Sequence, residues 1–351
     1  MRFLIIKPSS LGDIVHTFPA AALLRSTIPE AEIDWVANDT LAQIVSLFPN
    51  LHRVIHFPRQ RLSLRHPGII RDFIRDLQRD EYDAVIDFQG LLRSGLMAHF
   101  ARTAVRFGFA NGRECSPFFY SRRVSLPASL HHAADKNLFL MRTALAGLGF
   151  CPPATTPEAQ LELPAAWCAA ADALLQKHAV APGATIVAVG CSSRWESKSW
   201  PVPFFAETIR CAAAANPGLV FWLLGGAGER ARCEAVQQAA RTPQLINLAG
   251  ETDLGSLAAL LRRSSVMFTN DSGPMHIAAA LGVPCVACFG STSAALTGPY
   301  GPPGRHFILQ SQCPQAPCLK RRCPRGKACP DGVTPQEAAE AIAARLTASA
   351  T

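Results

Sequence analysis

No run in this 351-residue chain is long and apolar enough to read as a membrane span. The longest uncharged stretch, Ile277 to Gly304, is interrupted by Gly282, Pro284, Gly290 and Pro299, so it reads as buried helix, strand and loops. The apolar run before Lys7, Phe3 to Ile6, is too short for the core of a signal peptide. With no export signal, the 12 cysteines are expected to stay reduced in a cytosol, Cys285 and Cys288 as small core residues. Charge is sparse: only 17% of residues are Asp, Glu, Lys or Arg and 49% are apolar, which excludes a disordered chain. Acids are the minority, 26 against 34 Lys and Arg, and the net charge of +8 suits nucleic acid, an anionic membrane face or phosphorylated small molecules. No zinc-finger or aromatic stacking motif accompanies that charge, so nucleic acid is not the expected partner. Tandem repeats are missing, and so are a paired-carboxylate metal site and the G-x-x-x-x-G-K-S/T spacing of a Walker loop.

What is present is alternation. Strand-like runs at 2–7, 32–37, 53–57, 82–88 and 105–109 are separated by helical patterns such as 15–27, 68–79 and 91–101. Buried strands alternating with helices predict a parallel sheet covered on both faces. Residues 151–164, "CPPATTPEAQLELP", read as a linker. A second series follows at 185–190, 220–226, 244–250, 265–270 and 283–290, and the chain closes with a helix over 334–346 that opens on Thr334 with a Glu three residues later. The length suits two domains, 1–164 and 165–351, each a doubly wound α/β sheet. Ligands of such sheets sit beyond the carboxyl ends of the strands, so the loops after strands are where chemistry is expected.

Four such loops stand out. In "KPSSLGDIVHTFP" (7–19), Asp13 sits where a strand hands over to a helix, suited either to capping that helix or to acting as a general base. In "GCSSRWESKSWP" (190–201), hydroxyls at Ser192, Ser193, Ser197 and Ser199 with cations at Arg194 and Lys198 suit a phosphate, or only a solvated loop. In "TNDSGPMHIAAALGVP" (269–284), a helix begun at Pro274 would offer free N–H groups to a pyrophosphate, and Asp271 or His276 would touch a sugar; a helical His is also commonly a packed residue. Gly226, Gly228 and Ala231 approach a G-x-G-x-x-A dinucleotide fingerprint, but about 20 residues later, where a ribose-binding acid belongs, stands "LINLAG".

Taken in order, "KPSSLGDIVHTFPA", "YDAVIDFQGLLRSGLMA", "SKSWP" and "TNDSGPMHIAAALGVP" resemble the bacterial ADP-heptose:lipopolysaccharide heptosyltransferase family, glycosyltransferase family 9. The opening segment, "IDFQGLLRS" and "RECSPFFYSRRV" most resemble its type I members, and the resemblance covers nearly the whole chain. It implies the GT-B architecture, two Rossmann-like doubly wound domains facing across a cleft, with acceptor on the N-terminal side and nucleotide sugar on the C-terminal side. It implies an inverting transfer of heptose from ADP-heptose to a Kdo sugar of lipid A in inner-core synthesis, without a cofactor or metal. By resemblance Asp13 is the catalytic base and Lys198 offsets charge on the departing ADP. Ser192, Arg194, Ser272 and Gly273 would assist at the donor, with Asp271 and His276 at heptose hydroxyls and Glu229 at the ribose.

The anionic acceptor has candidate partners in Ser10, Gly12, Arg59, Arg61, Arg65, Arg93, Arg123 and Lys136, with Arg71, Arg113 and Arg122 nearby in sequence. Leu62, Leu64, Ile69 and Ile70 among those arginines suggest peripheral contact with the cytoplasmic face of the inner membrane. The tail "CPQAPCLKRRCPRGKACPDG" departs from the type I pattern. Its Cys313, Cys318, Cys323 and Cys329 are spaced more loosely than a zinc ribbon and are candidates either for a metal or for simple packing. Similar tails occur in type II members, which leaves a later core heptose open as the acceptor. A different chemistry, an NAD-dependent oxidoreductase, would have to rest on Gly226 and Gly228. A non-catalytic basic module would leave Asp13, Lys198 and Asp271 without purpose.

Overall fold

The computed structural model describes residues 1–61, 66–326 and 329–348. The chain divides into two compact units, Met1–Glu162 and Leu163–Thr351. The first contains β1 (Arg2–Ile6), α1 (Leu11–Val15), α2 (Phe18–Thr27), β2 (Glu32–Asn38), α3 (Ala42–Val45), β3 (Arg53–Phe57), α4 (Pro67–Leu77), β4 (Ala84–Asp87), α5 (Leu92–Phe100), β5 (Arg106–Phe109), β6 (Arg122–Val124) and α6 (Ala133–Gly147). The second contains α7 (Ala165–Lys177), β7 (Thr185–Gly190), α8 (Val202–Ala215), β8 (Leu219–Leu223), α9 (Arg230–Ala240), β9 (Leu245–Asn247), α10 (Leu254–Arg262), β10 (Val266–Asn270), α11 (Gly273–Ala280), β11 (Cys285–Phe289), α12 (Ala294–Thr297), β12 (Phe307–Gln310) and α13 (Pro335–Ala348).

Each unit holds one six-stranded parallel sheet, ordered β3-β2-β1-β4-β5-β6 in the first and β12-β11-β10-β7-β8-β9 in the second. Counted within each unit, both orders are 3-2-1-4-5-6, the doubly wound Rossmann arrangement. The sequence-level expectation of two α/β sheets is therefore met. The chain reverses direction across the sheet between β1 and β4, and again between β7 and β10. Helices leave the two strands of each pair toward opposite faces, so their carboxyl ends open onto a crevice. Register fixes what stands there: Ile6 pairs Asp87 at the end of β1 and β4, and Thr269 pairs Gly190 at the end of β10 and β7.

The strands are apolar on both faces because helices cover both. Phe3, Leu4, Ile5 and Ile6 are fully buried, as are Val266, Met267 and Phe268. Three details differ from the sequence-level expectation. The helix expected over 15–27 starts at Phe18 and follows a separate short helix, α1, that ends at Val15; Pro19, with no N–H to continue α1, occupies the opening turn of α2. The short outer strands β6 and β12 carry exposed residues (Arg122, Arg123, Phe307) and lack the buried apolar run of the central strands. Residues 151–164 contain no helix or strand, yet the N–H of Glu162 donates to Leu47 O at 2.9 Å and fastens the segment to the first unit.

Phe268 lies at the centre of the second sheet, its ring 4.9 Å from Phe205 and 6.0 Å from Trp200. Phe268→Ala would leave a cavity among large rings and is expected to lower the unfolding free energy of the second unit by about 3–5 kcal/mol, read from urea denaturation followed by tryptophan fluorescence.

Candidate active site

In the first unit, the loop after β1 meets the loop after β4. Lys7 follows directly on β1 and is buried, because the strand beneath it is buried on both faces. Its Nζ donates to Phe88 O at 2.8 Å, which ties the two loops together across the crevice. Burial pulls the Lys7 ammonium below its ordinary pKa, while Asp13 and Asp87 oppose that shift. Asp87 at the end of β4 is fully buried and accepts from Tyr120 Oη at 2.7 Å and from the N–H groups of Gln89 and Gly90 at 2.8 and 3.2 Å. Burial raises its carboxyl pKa despite these donors. Gly108 on β5 has no side chain because a Cβ would stand 2.3 Å from the Tyr120 ring.

Asp13 lies in the first turn of α1, where its Oδ2 accepts from Ser10 N at 2.9 Å and from Ser10 Oγ at 2.7 Å. The capping geometry suggested by the sequence is thus present, and it orients the carboxylate. Burial pushes the Asp13 carboxyl up, but the Lys7 cation, the two Ser10 donors and His16 outweigh it and leave the pKa below the ordinary value. His16 is itself buried, its ring 5.0 Å from that of His132, and Asn137 Nδ2 donates to its carbonyl at 3.1 Å. The arrangement holds an ionised carboxylate ready to accept a proton.

Beside this loop is a cavity of about 250 Å³ whose walls include Pro8, Ser9, Phe57, Arg59, Gln89 and Arg93. Gln89 Oε1 is buried there with no hydrogen-bond partner. Of the expected acceptor cations, the fold brings Arg59 and Arg93 to this one cavity. Arg61 is paired with Asp39 at 3.1 Å, Arg123 lies out on β6, and Lys136 is in the first turn of α6. Arg65, Leu62 and Leu64 lie outside the described residues.

In the second unit, the loop after β7 is laced to the end of β10. Asn270 Nδ2 donates to Cys191 O at 3.0 Å and its Oδ1 accepts from Trp200 N at 3.0 Å, so one side chain holds both ends of the loop. Ser193 Oγ donates to Asp271 O at 2.9 Å. Lys198 Nζ lies 2.6 Å from Asp271 Oδ2, which also accepts from Thr292 Oγ1 at 2.6 Å. Asp271 is almost wholly buried, so losing its cation would strand a charge. The Ser192 oxygen is buried with no hydrogen-bond partner, and Arg194 is exposed. Ser272 occupies the N-cap position of α11 without a side-chain cap bond, Gly273 begins the helix, and His276 is buried one turn on. Glu229 accepts the Gly226 N–H at 2.8 Å in the turn before α9.

Sequence reasoning missed several contributors. Lys7 and Thr292 are among them, and so is Trp195, whose ring lies 4.9 Å from Lys198 Nζ and 5.8 Å from the Arg321 guanidinium. Arg321 comes from the Cys-rich tail, which packs on the loop after β7: Ser197 N donates to Arg321 O at 3.1 Å, and Ser197 Oγ donates to Lys320 O. Gly290 is bare because a Cβ there would stand 2.2 Å from Cys329 Sγ. Burial and the neighbouring thiols of Cys323, Cys318 and Cys313 push the Cys329 thiol up to about 11. Among the described residues no group of three or more His, Cys, Asp or Glu is disposed to hold a metal ion, the tail cysteines included. A lone Lys ending an apolar strand was the one readable signal, since a cation there must find partners.

Two Rossmann-ordered sheets, each with polar loops at its switch point, are the pair of units that defines the GT-B fold class. The profile of glycosyltransferase family 9 (heptosyltransferase) matches residues 70–329, and the chain belongs to that family. It is 32% identical to lipopolysaccharide heptosyltransferase 1 of Pseudomonas aeruginosa over 92% of this chain and 87% of that one. Among solved structures it is similar to E. coli heptosyltransferase WaaC with ADP, at 26% identity and a TM-score of 0.79 over 98% of this chain and 100% of that one. The E. coli enzyme with ADP-2-deoxy-2-fluoro heptose matches at 27% identity and a TM-score of 0.72, covering 89% and 93%.

Because Asp13 has a folded pKa below its ordinary value, its ionised form contributes stability in full above the unfolded pKa of about 3.9, and this is lost as pH falls through the folded value. Lys7→Met removes the main opposing cation and is expected to raise the Asp13 pKa. A carboxyl-carbon NMR titration, assigned with Asp13→Asn, reads the shift; a fixed or lowered value would exclude Lys7 from the electrostatics of this carboxylate.

Proposed function

We propose that this glycosyltransferase moves L-glycero-D-manno-heptose from ADP-heptose to a Kdo sugar of lipid A, with inversion at the anomeric carbon. The observation that carries the reading is the held, ionised Asp13 at the switch point of the first sheet. An acceptor hydroxyl attacks the heptose anomeric carbon while its proton passes to the Asp13 carboxylate. The carbon–oxygen bond to ADP breaks, and its electron pair leaves with the diphosphate. Attack opposite the leaving group inverts the centre.

Leaving-group charge is met by Lys198, with Ser192, Arg194 and the N–H groups of Ser272 and Gly273 completing the phosphate environment. Asp271, held by Lys198 and Thr292, is oriented to accept from sugar hydroxyls beside His276. Glu229 is assigned to the ribose. Arg59, Arg93 and Ser10 take the acceptor's carboxylate and phosphate groups, and Gly12 leaves room for the acceptor beside them. The finer points of place, an enzyme of the cytoplasm working at the inner membrane on a lipid-borne acceptor, belong to the same proposal. The similarity to type I enzymes favours Kdo over a core heptose as acceptor.

Mass measurement of the product, after incubation with ADP-heptose and either Kdo-lipid A or heptosylated core, tests the assignment; heptose gained only by the core would overturn it. Asp13→Ala is expected to lower kcat by about 10²–10⁴-fold while ADP-heptose still binds by calorimetry, since the donor groups lie in the other unit; near-normal turnover would rule out the base. Lys198→Ala is expected to lower kcat/KM by about 10²–10³-fold, and unchanged constants would remove it from the site.

A further inference from the structure

Met1 aside, the large apolar side chains left exposed among the described residues of the first unit are Leu92, Leu96, Phe100 and Phe118. Leu92, Leu96 and Phe100 recur every fourth residue along α5, which sets them on one stripe of the helix. Phe118 is 77% exposed, on the single turn Ser116–Phe119 that packs against α5. The turn reaches the helix because Gly95 is bare there: a Cβ would stand 2.7 Å from the Phe119 ring. Arg123 holds the apex, its Nε donating to Pro117 O at 2.9 Å and its guanidinium lying 5.7 Å from the centre of the Phe118 ring.

Exposed cations come from the same and the adjoining segments: Arg93 on α5, Arg102 just after it, Arg113 ahead of the Phe118 turn, and Arg123 against the Phe118 ring. Two acids lie among them. Glu81 is 3.8 Å from Arg102, and Glu114 accepts the Leu92 N–H at 3.3 Å. The adjoining flank of α5 contributes Arg93, Ser94 and Met97 to the cavity that also contains Arg59 and Gln89. One helix therefore shows an apolar stripe, flanking arginines and one wall of a cavity lined by Arg59, Arg93 and Glu114. A protruding aromatic beside a helical leucine stripe, bordered by arginines, is the chemistry that enters an acidic lipid interface.

We propose that the α5 stripe and the Phe118 turn form a docking surface for an anionic phospholipid bilayer, and that docking presents the Arg59–Arg93 cavity to the headgroup of a lipid-anchored acceptor. The second half of this statement rests on the acceptor assigned above; the first does not.

The test uses the full chain and sedimentation with vesicles of phosphatidylethanolamine and phosphatidylglycerol, against vesicles of phosphatidylcholine alone. Wild type is expected to partition onto the acidic vesicles, less so as salt is raised. Leu96→Glu and Phe118→Glu, checked for folding by circular dichroism, are each expected to lower partitioning about tenfold or more, and Phe118→Trp to keep it. Turnover of a soluble, deacylated Kdo acceptor should stay within about twofold in both variants, while turnover of vesicle-borne Kdo-lipid A falls with partitioning. Wild type that ignores acidic vesicles, or Glu variants that partition equally, would overturn the surface. So would a wild-type dimer, seen by light scattering, that Leu96→Glu dissociates, since a second copy would then occupy the stripe. If variants lose partitioning but wild type does not turn over either Kdo acceptor, the surface stands and the acceptor assignment falls.

Discussion

In each half of this protein a parallel sheet reverses its winding between its first and fourth strands, and polar groups gather where it does so. Two adjacent strands whose helices depart to opposite faces leave their carboxyl ends uncovered. Beneath that opening the strands are buried and mostly apolar, so any charge placed there must find a partner within the fold or from a ligand. Lys7 bridges to Phe88 O at the first reversal, and Lys198 bridges to Asp271 at the second. The loops that carry chemistry are positioned by these bridges and by the strand register below them.

The two reversals use charge differently. In the first, a buried cation stands near one carboxylate that stays ionised, Asp13, and another, Asp87, that burial drives toward its neutral form. Two acids at one switch point, Asp13 in the helix after β1 and Asp87 at the end of β4, thus acquire opposite tendencies from their surroundings. In the second, the ion pair is the central feature. Its cation also faces the Trp195 ring, and the tail that carries Arg321 presses on the same loop. Cys329 of that tail lies against bare Gly290, next to the Ser197 carbonyl, which places the tail on the loop after β7.

Much of this was legible in the residues. Apolar runs separated by helical periods predicted two wound sheets, since only strands covered on both faces are apolar throughout. Asp13, Lys198 and Asp271 stood out because each follows such a run, where a charge is costly without a purpose. The sequence read less well where the signal is weak or distant. Pro19 gives no sign by itself whether it kinks a helix or opens a new one, and β6 is a three-residue strand bearing two exposed arginines. Thr292 and Arg321 reach the site from loops that are neighbours only in space.

The residues alone determined the fold class, because periodicity and burial follow from which side chains water rejects. They also determined which loops hold the acids, cations and hydroxyls, because those residues end strands and begin helices by local rules. Tertiary structure decided partnership: that Lys7 answers both Asp13 and Asp87, that Arg59 and Arg93 share a cavity while Arg61 is spent on Asp39, and that Leu92, Leu96 and Phe100 stay uncovered beside Phe118. Such pairings depend on distances across the sheet, and strand order sets these through contacts between residues tens of positions apart.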